Sequence, residues 1–166
     1  MAFLLKQIIS GGQTGADHGG LVAARELGFE TGGTAPEGWL TENGPEEELL
    51  RSFGLVECDQ KGFSARTRRN VEIASATLLV GHYRTGGSRL TYQEARQIKK
   101  PLFLLAFPNH SDADRERFRH WLERYSIQVL NVAGNRESQS PGIGEFTRSF
   151  LVNALGKGKP NDPMTG

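Results

Sequence analysis

The sequence predicts an α/β domain, a three-layer α/β/α sandwich on a mainly parallel sheet. Three observations point to it: short apolar runs alternate with segments of helical periodicity, the best runs are continuously apolar, and polar, glycine-bearing turns follow them. With 166 residues the chain has the length of one domain. A domain of that size buries about two thirds of its unfolded surface and needs no staple. The domain is expected to span residues 1–156. Residues 157–166, made largely of Gly, Lys, Pro, Asn and Asp, are expected to form a disordered tail.

Residues 6–10 form an apolar run that stops at Gly11-Gly12-Gln13-Thr14-Gly15-Ala16-Asp17. A helical pattern follows, with Leu21, Ala24 and Leu27 on one face and Gly28 as its stop. Strand, glycine turn and helix open a βα unit. Residues 29–54 carry Gly32-Gly33, Pro36, Gly38, Asn43-Gly44-Pro45 and Gly54 and read as irregular, apart from a short helix at 45–52 led by Pro45. Residues 55–59 read as a weak strand. Residues 63–75 read as a helix that buries Ala65, Val71, Ile73 and Ala74. Residues 77–82, apolar and β-branched, are the strongest strand signal, and a helix then runs to Ile98. Pro101 opens the strand 102–106. Ser111, with Asp114 three residues on, predicts a capped helix whose apolar face is Phe118, Trp121, Leu122 and Tyr125. Residues 127–132 are the next strand. Pro141 is expected at the first position of the last helix, with Ile143, Phe146, Phe150 and Ala154 inward and Gly156 at its end.

Right-handed crossovers place all strand-to-helix loops of such a sheet at one edge. In open α/β sheets the ligand binds there, outside the carboxyl ends of the strands. Three polar loops fall at that edge: 11–17, 83–88 and 133–138. The expectation is a Rossmann-like domain with its site among these loops.

Composition narrows the function. Twenty Lys and Arg oppose 19 Asp and Glu, a net charge of +1, which argues against nucleic acid polymers and anionic membranes as partners. Fourteen of the 20 cations are arginine, whose forked guanidinium suits phosphate and carboxylate, so the bias leans toward oxyanion chemistry. The single Cys58 excludes an internal disulfide and a cysteine-cluster metal site. His18, His82, His110 and His120 lack metal-ligand spacing, so no metal site is expected. No apolar stretch approaches the ~20 residues of a membrane span. The N-terminus meets charge too soon for a signal peptide, so a cytoplasmic protein is expected.

The candidate site residues follow from the three loops. Gly11, Gly12 and Gly15 let backbone N–H groups approach an anion at a helix N-terminus, while Gln13, Thr14 and Asp17 add an amide, a hydroxyl and a carboxylate. Thr14 or Asp17 serving only as a helix cap is the competing reading. Thr85, Gly86, Gly87, Ser88 and Thr91 repeat the theme, again with capping as the alternative for Ser88. Asn131, Gly134, Arg136 and Glu137 follow a strand, where an Arg-Glu neighbour pair is otherwise a solvated surface pair. Arg66 and Asn70 stand in a basic cluster with Arg68 and Arg69, the last two reading equally well as a solvated helix face. His18 and His82 lie near enough to the loops to enter the site.

Ile9-Ser10-Gly11-Gly12-Gln13-Thr14-Gly15-Ala16-Asp17, Arg66-Thr67-Arg68-Arg69-Asn70-Val71, Thr85-Gly86-Gly87 with Leu90-Thr91, and Asn131-Val132-Ala133-Gly134 with Arg136-Glu137-Ser138 and Pro141-Gly142-Ile143 occur in that order. Over residues 6–155 the chain resembles the molybdenum carrier family, a branch of the SLOG superfamily of Rossmann-like nucleotide-binding proteins. The resemblance implies binding of a phosphorylated or oxyanionic small molecule, with molybdenum cofactor or molybdate as cargo, and a homodimer. Loops 11–17 and 85–88 would then cradle phosphate. Thr14, Ser88 and Thr91 would add hydroxyls, Arg66 and Arg136 charge, and Asn70 and Asn131 orientation.

The Lonely-guy-type enzymes of the same superfamily cleave nucleoside monophosphates to base and ribose 5-phosphate. Their Pro-Gly-Gly-x-Gly-Thr-x-x-Glu signature is met at Gly86-Gly87, and at Thr91-x-x-Glu94 only with one extra residue; Thr85 replaces the proline. A phosphoribohydrolase with Glu94 or Asp17 at the sugar is therefore the rival expectation, and a nucleotide sensor the third. The chain departs from the family in Ala35-Pro36-Glu37-Gly38, where a lysine is expected, in Asn135 for proline, and in Ser75 for an acidic residue.

Overall fold

Parallel strands buried on both faces fix the architecture, and the computed structural model describes it for residues 3–156. The tail expected at 157–166 lies outside the described residues. In chain order the elements are β1 (Gln7–Ile9), α1 (Ala16–Leu27), β2 (Glu30–Ala35), β3 (Leu40–Thr41), β4 (Gly44–Pro45), α2 (Glu47–Ser52) and β5 (Leu55–Glu57). There follow α3 (Phe63–Ile73), β6 (Ala76–Val80), α4 (Gly86–Gln97), β7 (Leu102–Leu105), α5 (Asp112–Arg124), β8 (Val129–Gly134) and α6 (Ile143–Leu155). Six strands form one sheet in the order β5-β2-β1-β8-β6-β7, every neighbouring pair parallel. β3 and β4 form a separate small antiparallel ribbon. The result is the expected Rossmann-like α/β class.

β6 is buried along its whole length, as its continuous apolar run predicts for a central parallel strand. Ile8, Leu78, Val80, Leu130 and Val132 meet Ala24, Phe118, Leu122, Phe150 and Leu151 in the main core. Each fully buried Leu or Phe there contributes about 1.5–3 kcal/mol. Leu21, Ala35, Trp39, Leu50, Phe53 and Leu55 form a smaller cluster. The predicted cap of α5 is present as a reciprocal box: the Ser111 hydroxyl accepts from the Asp114 amide, and the Asp114 carboxylate accepts from the Ser111 amide.

Several expectations need correction. β2 occupies residues that read as irregular, because Gly32-Gly33 mimics a turn signal. Gly33 sits at φ +125, and a Cβ on it would overlap the backbone oxygen of Ser10; glycine permits the close approach of the two chains. Pro45 lies in β4, and α2 begins only at Glu47. α6 begins at Ile143 behind a left-handed Gly142, so Pro141 precedes the helix instead of opening it. Tyr125 ends α5 and is 48% exposed. Most telling is α3: Ile73 is 52% exposed and Ala65 only half-buried, while Arg66 and Asn70 are buried beside Val71. A helix that buries an arginine must have something inward for it to meet.

Replacing Gly33 by Ala should destabilise the fold by about 3 kcal/mol, the sum of left-handed strain and backbone overlap. Thermal or denaturant unfolding of Gly33→Ala checks this, and an unchanged midpoint would refute the close-approach account.

Candidate functional site

Arg66 enters from α3 and is 7% exposed. Its Nη1 donates to the backbone oxygen of Gly11 at 2.6 Å and lies 3.7 Å from the Asp17 carboxylate of α1. The approach requires glycine, since a Cβ at position 11 would overlap the guanidinium. Nε of Arg66 has no hydrogen-bond partner. Neither has Nε2 of Gln13 nor Oδ1 of Asn131. These three residues line one cavity of about 500 Å³ at the carboxyl edge of the sheet, within the usual size of small-molecule sites. An unsatisfied buried polar atom costs about 1–3 kcal/mol, so three around one space mark a place built to receive polar groups.

Burial outweighs pairing for both charges. It raises the Asp17 carboxyl to about 6, against the opposing pull of Arg66, the Gln13 and Gly11 amides and Arg136. Burial lowers Arg66 from its ordinary value, Asp17 opposing and Arg136 reinforcing. Arg136, on the loop after β8, shares the Phe63 ring with Arg66: the guanidinium carbons lie 5.2 and 5.5 Å from its centroid. One side of the cavity thus carries two guanidinium groups on an aromatic plate.

The two glycine loops differ in what their amides do. In the first, Gly12 donates to Ser10 Oγ at 3.2 Å, Gln13 to Asp17 at 3.2 Å, Thr14 to Gln13 Oε1 at 3.1 Å, and Ala16 to the Asn135 carbonyl at 3.2 Å. These N–H groups are satisfied within the protein, and the Asp17 carboxylate occupies the anion position of the turn. At the second loop no side chain caps α4 at Thr85. Among the described residues nothing accepts from the amides of Gly86, Gly87 and Ser88. The free positive end of a helix dipole therefore faces the cavity that Thr85 to Ser88 line.

The structure brings most of the expected residues together around this cavity: Gly11, Gln13, Asp17, Arg66, Asn70, Thr85 to Ser88, Thr91, Asn131, Gly134 and Arg136. Some of them are occupied elsewhere. Asn70 clamps β2 through both ends of its amide, accepting from Thr34 N at 2.8 Å and donating to Thr34 O at 3.0 Å. Thr91 donates to Gly87 O at 3.0 Å. Gly12, Thr14, Gly15 and Glu137 line a second, adjoining cavity instead, together with His18, and Gln13 borders both. His82 is exposed, its backbone held by Asn135. Glu94 lines neither cavity; it faces Arg68 at 4.0 Å between α3 and α4.

Three further participants stand outside the expected ligand set, of which Asn135 belongs to the third polar loop and the other two lie outside all three. Asn135, 3% exposed, ties the second and third loops through the His82 backbone and Ser88 Oγ. Glu42, at the tip of the β3–β4 ribbon, accepts from the Thr14 and Ser138 hydroxyls and from Ser138 N at 3.2 Å, and these bonds hold its carboxyl below the usual value. Phe63 is the plate beneath the arginines. The neighbour of Gly134 was already in view as an asparagine in place of proline; for Glu42 and Phe63 the local sequence carries no signal.

The family model for circularly permutated YpsA SLOG proteins matches residues 8–155. The chain belongs to that family. A crystal structure of a "putative molybdenum carrier protein" from Syntrophus aciditrophicus SB is 34% identical, covers 92% of this chain and 96% of its own, and superposes with a TM-score of 0.84. No protein of curated function matches. Read from β8 instead of β1, the sheet runs β8-β1-β2-β5 outward and then returns to β6-β7. The crevice where the direction reverses lies between β8 and β6, and the cavity opens there. Among the described residues no helix is long and apolar enough to cross a membrane, and no cluster of His, Cys, Asp and Glu is grouped to hold a metal ion.

A carboxyl raised by folding stabilises the folded state while protonated, and that contribution is lost as pH climbs from 3.8 toward about 6. Asp17→Asn should therefore be more stable than the wild type at neutral pH, by up to about 3 kcal/mol. The gap should close as the pH approaches 4. Unfolding midpoints measured across this range test it; a variant less stable at every pH would show that pairing with Arg66 dominates.

Proposed function

We propose that the protein binds a small phosphorylated or oxyanionic molecule in this cavity and serves as a carrier of molybdenum cofactor or molybdate. One observation carries the reading: the uncapped amides of α4 and the unpartnered atoms of Arg66, Gln13 and Asn131 converge on the same space. The α4 amides and Arg66 match tetrahedral oxygens, with Arg136 adding charge from the rim. The Ser88 hydroxyl, which accepts from Asn135, retains its own proton to donate. Loop 11–17 contributes Gln13 and the seat of Arg66; its Gly12, Gln13, Thr14 and Ala16 amides are engaged within the protein. The name of the Syntrophus relative supports the cargo. Of the two carboxylates the hydrolase alternative could use, Glu94 stands away from the cavity and Asp17 lines it beside Arg66.

Gly87→Asp separates fold from binding. A side chain at position 87 meets nothing within 4 Å, and a carboxylate at a helix N-terminus stabilises the helix by about 0.3–1 kcal/mol. The variant should remain folded, with an unchanged or higher melting temperature. Its affinity for molybdate and inorganic phosphate, measured by titration calorimetry, should fall at least tenfold, about 1.4 kcal/mol. Undiminished affinity would remove α4 from the site. Incubation with nucleoside 5′-monophosphates should yield no free base by mass spectrometry; base together with ribose 5-phosphate would establish the hydrolase instead.

A further inference from the structure

Asp17 is the carboxylate least suited to an anion site, yet it lines the cavity and is 7% exposed. It sits 3.7 Å from Arg66 and accepts from Gln13 N at 3.2 Å. The charged groups acting on it are Arg66 from α3 and Arg136 from the loop after β8; Cys58, after β5, acts in turn on Arg66. An ionised Asp17 thus already neutralises the guanidinium that an arriving anion needs. Two negative groups against one buried guanidinium repel strongly where water is scarce.

We propose that the cavity takes up an oxyanion together with one proton, and that Asp17 holds the proton whenever the anion brings none. The inference rests on the binding function proposed above. The proton comes from solvent, adds to the Asp17 carboxylate, and leaves with the anion. Protonation frees Arg66 for the ligand and converts Asp17 from a repelling acceptor into an O–H donor. Its cost is small near neutrality, since burial already raises this carboxyl to about 6. The same device sorts oxyanions by their own protons. Inorganic phosphate keeps an O–H that an ionised Asp17 can accept, whereas molybdate at neutral pH has none.

Molybdate and inorganic phosphate serve as probes, titrated calorimetrically into the intact protein from about pH 6 to about pH 8 in buffers of differing ionisation enthalpy. Above about pH 7 molybdate affinity should fall about tenfold per pH unit, with close to one proton taken up per anion, and both should be smaller near pH 6, where the free carboxyl is already partly protonated. Phosphate should take up far fewer protons. Asp17→Asn keeps an oxygen for the Gln13 amide and removes the titration. Its molybdate affinity should be flat with pH and at least tenfold tighter than wild type at the alkaline end. Molybdate binding without proton uptake, or with the same pH slope in both proteins, overturns the inference and leaves the binding function standing. If neither anion binds at any pH, the binding function itself falls, and the inference with it.

Discussion

Arg66 buried against the backbone of Gly11 is the interaction around which the loop edge of this sheet is organised. A guanidinium taken out of water must be paired and hydrogen-bonded, and each requirement leaves its mark on the chain. Position 11 has no side chain because the guanidinium fills that space. Asp17 lies in the first turn of α1 to face the charge. α3 turns Arg66 and Asn70 inward and leaves Ile73 outside. The compensation remains incomplete, since Nε has no partner and both charges are pushed toward neutrality. Such incompleteness marks a functional site better than any single residue type does.

Around this pair the loops are held by side chains instead of by a continuous framework. Gln13 Oε1 accepts from both Thr14 N and Glu42 N, drawing the β3–β4 ribbon onto the first loop. Glu42 then reaches Ser138 on the third loop, and Asn135 ties the third to the second. The α4 end is left out of this network at its amides. A rigid frame with one unsaturated face suits binding, because the donors are oriented before the ligand arrives.

How much of this could be read from the sequence depended on whether the cause was local. β6 and the α5 cap were legible because a continuous apolar run and a Ser-x-x-Asp spacing act within a few residues. β2 was hidden because Gly33 answers to the Ser10 backbone, a neighbour more than twenty positions away. Pro45 and Pro141 were placed at the first position of helices that begin two residues later, because proline suits a turn or an extended segment as well as a first helical turn. At the site, the glycine loops and Arg66 were visible as types, whereas the engagement of the Gly12, Gln13, Thr14 and Ala16 amides was not. That state depends on where the Asp17, Ser10 and Gln13 side chains fold back. Glu42 lies in a segment with no pattern of its own and Phe63 at the first position of a legible helix, and both join the site through tertiary contacts alone.

The position of β8 has a consequence for biosynthesis. The strand at the middle of the sheet, between β1 and β6, comes last in chain order among the described strands. Until it emerges from the ribosome, the two halves of the sheet have no shared partner, and the cavity lacks the wall that carries Asn131, Gly134 and Arg136. Pairings of such sequence separation form slowly, since a long loop must close before they contribute. The cavity is therefore complete only once β8 has paired with both of its neighbours.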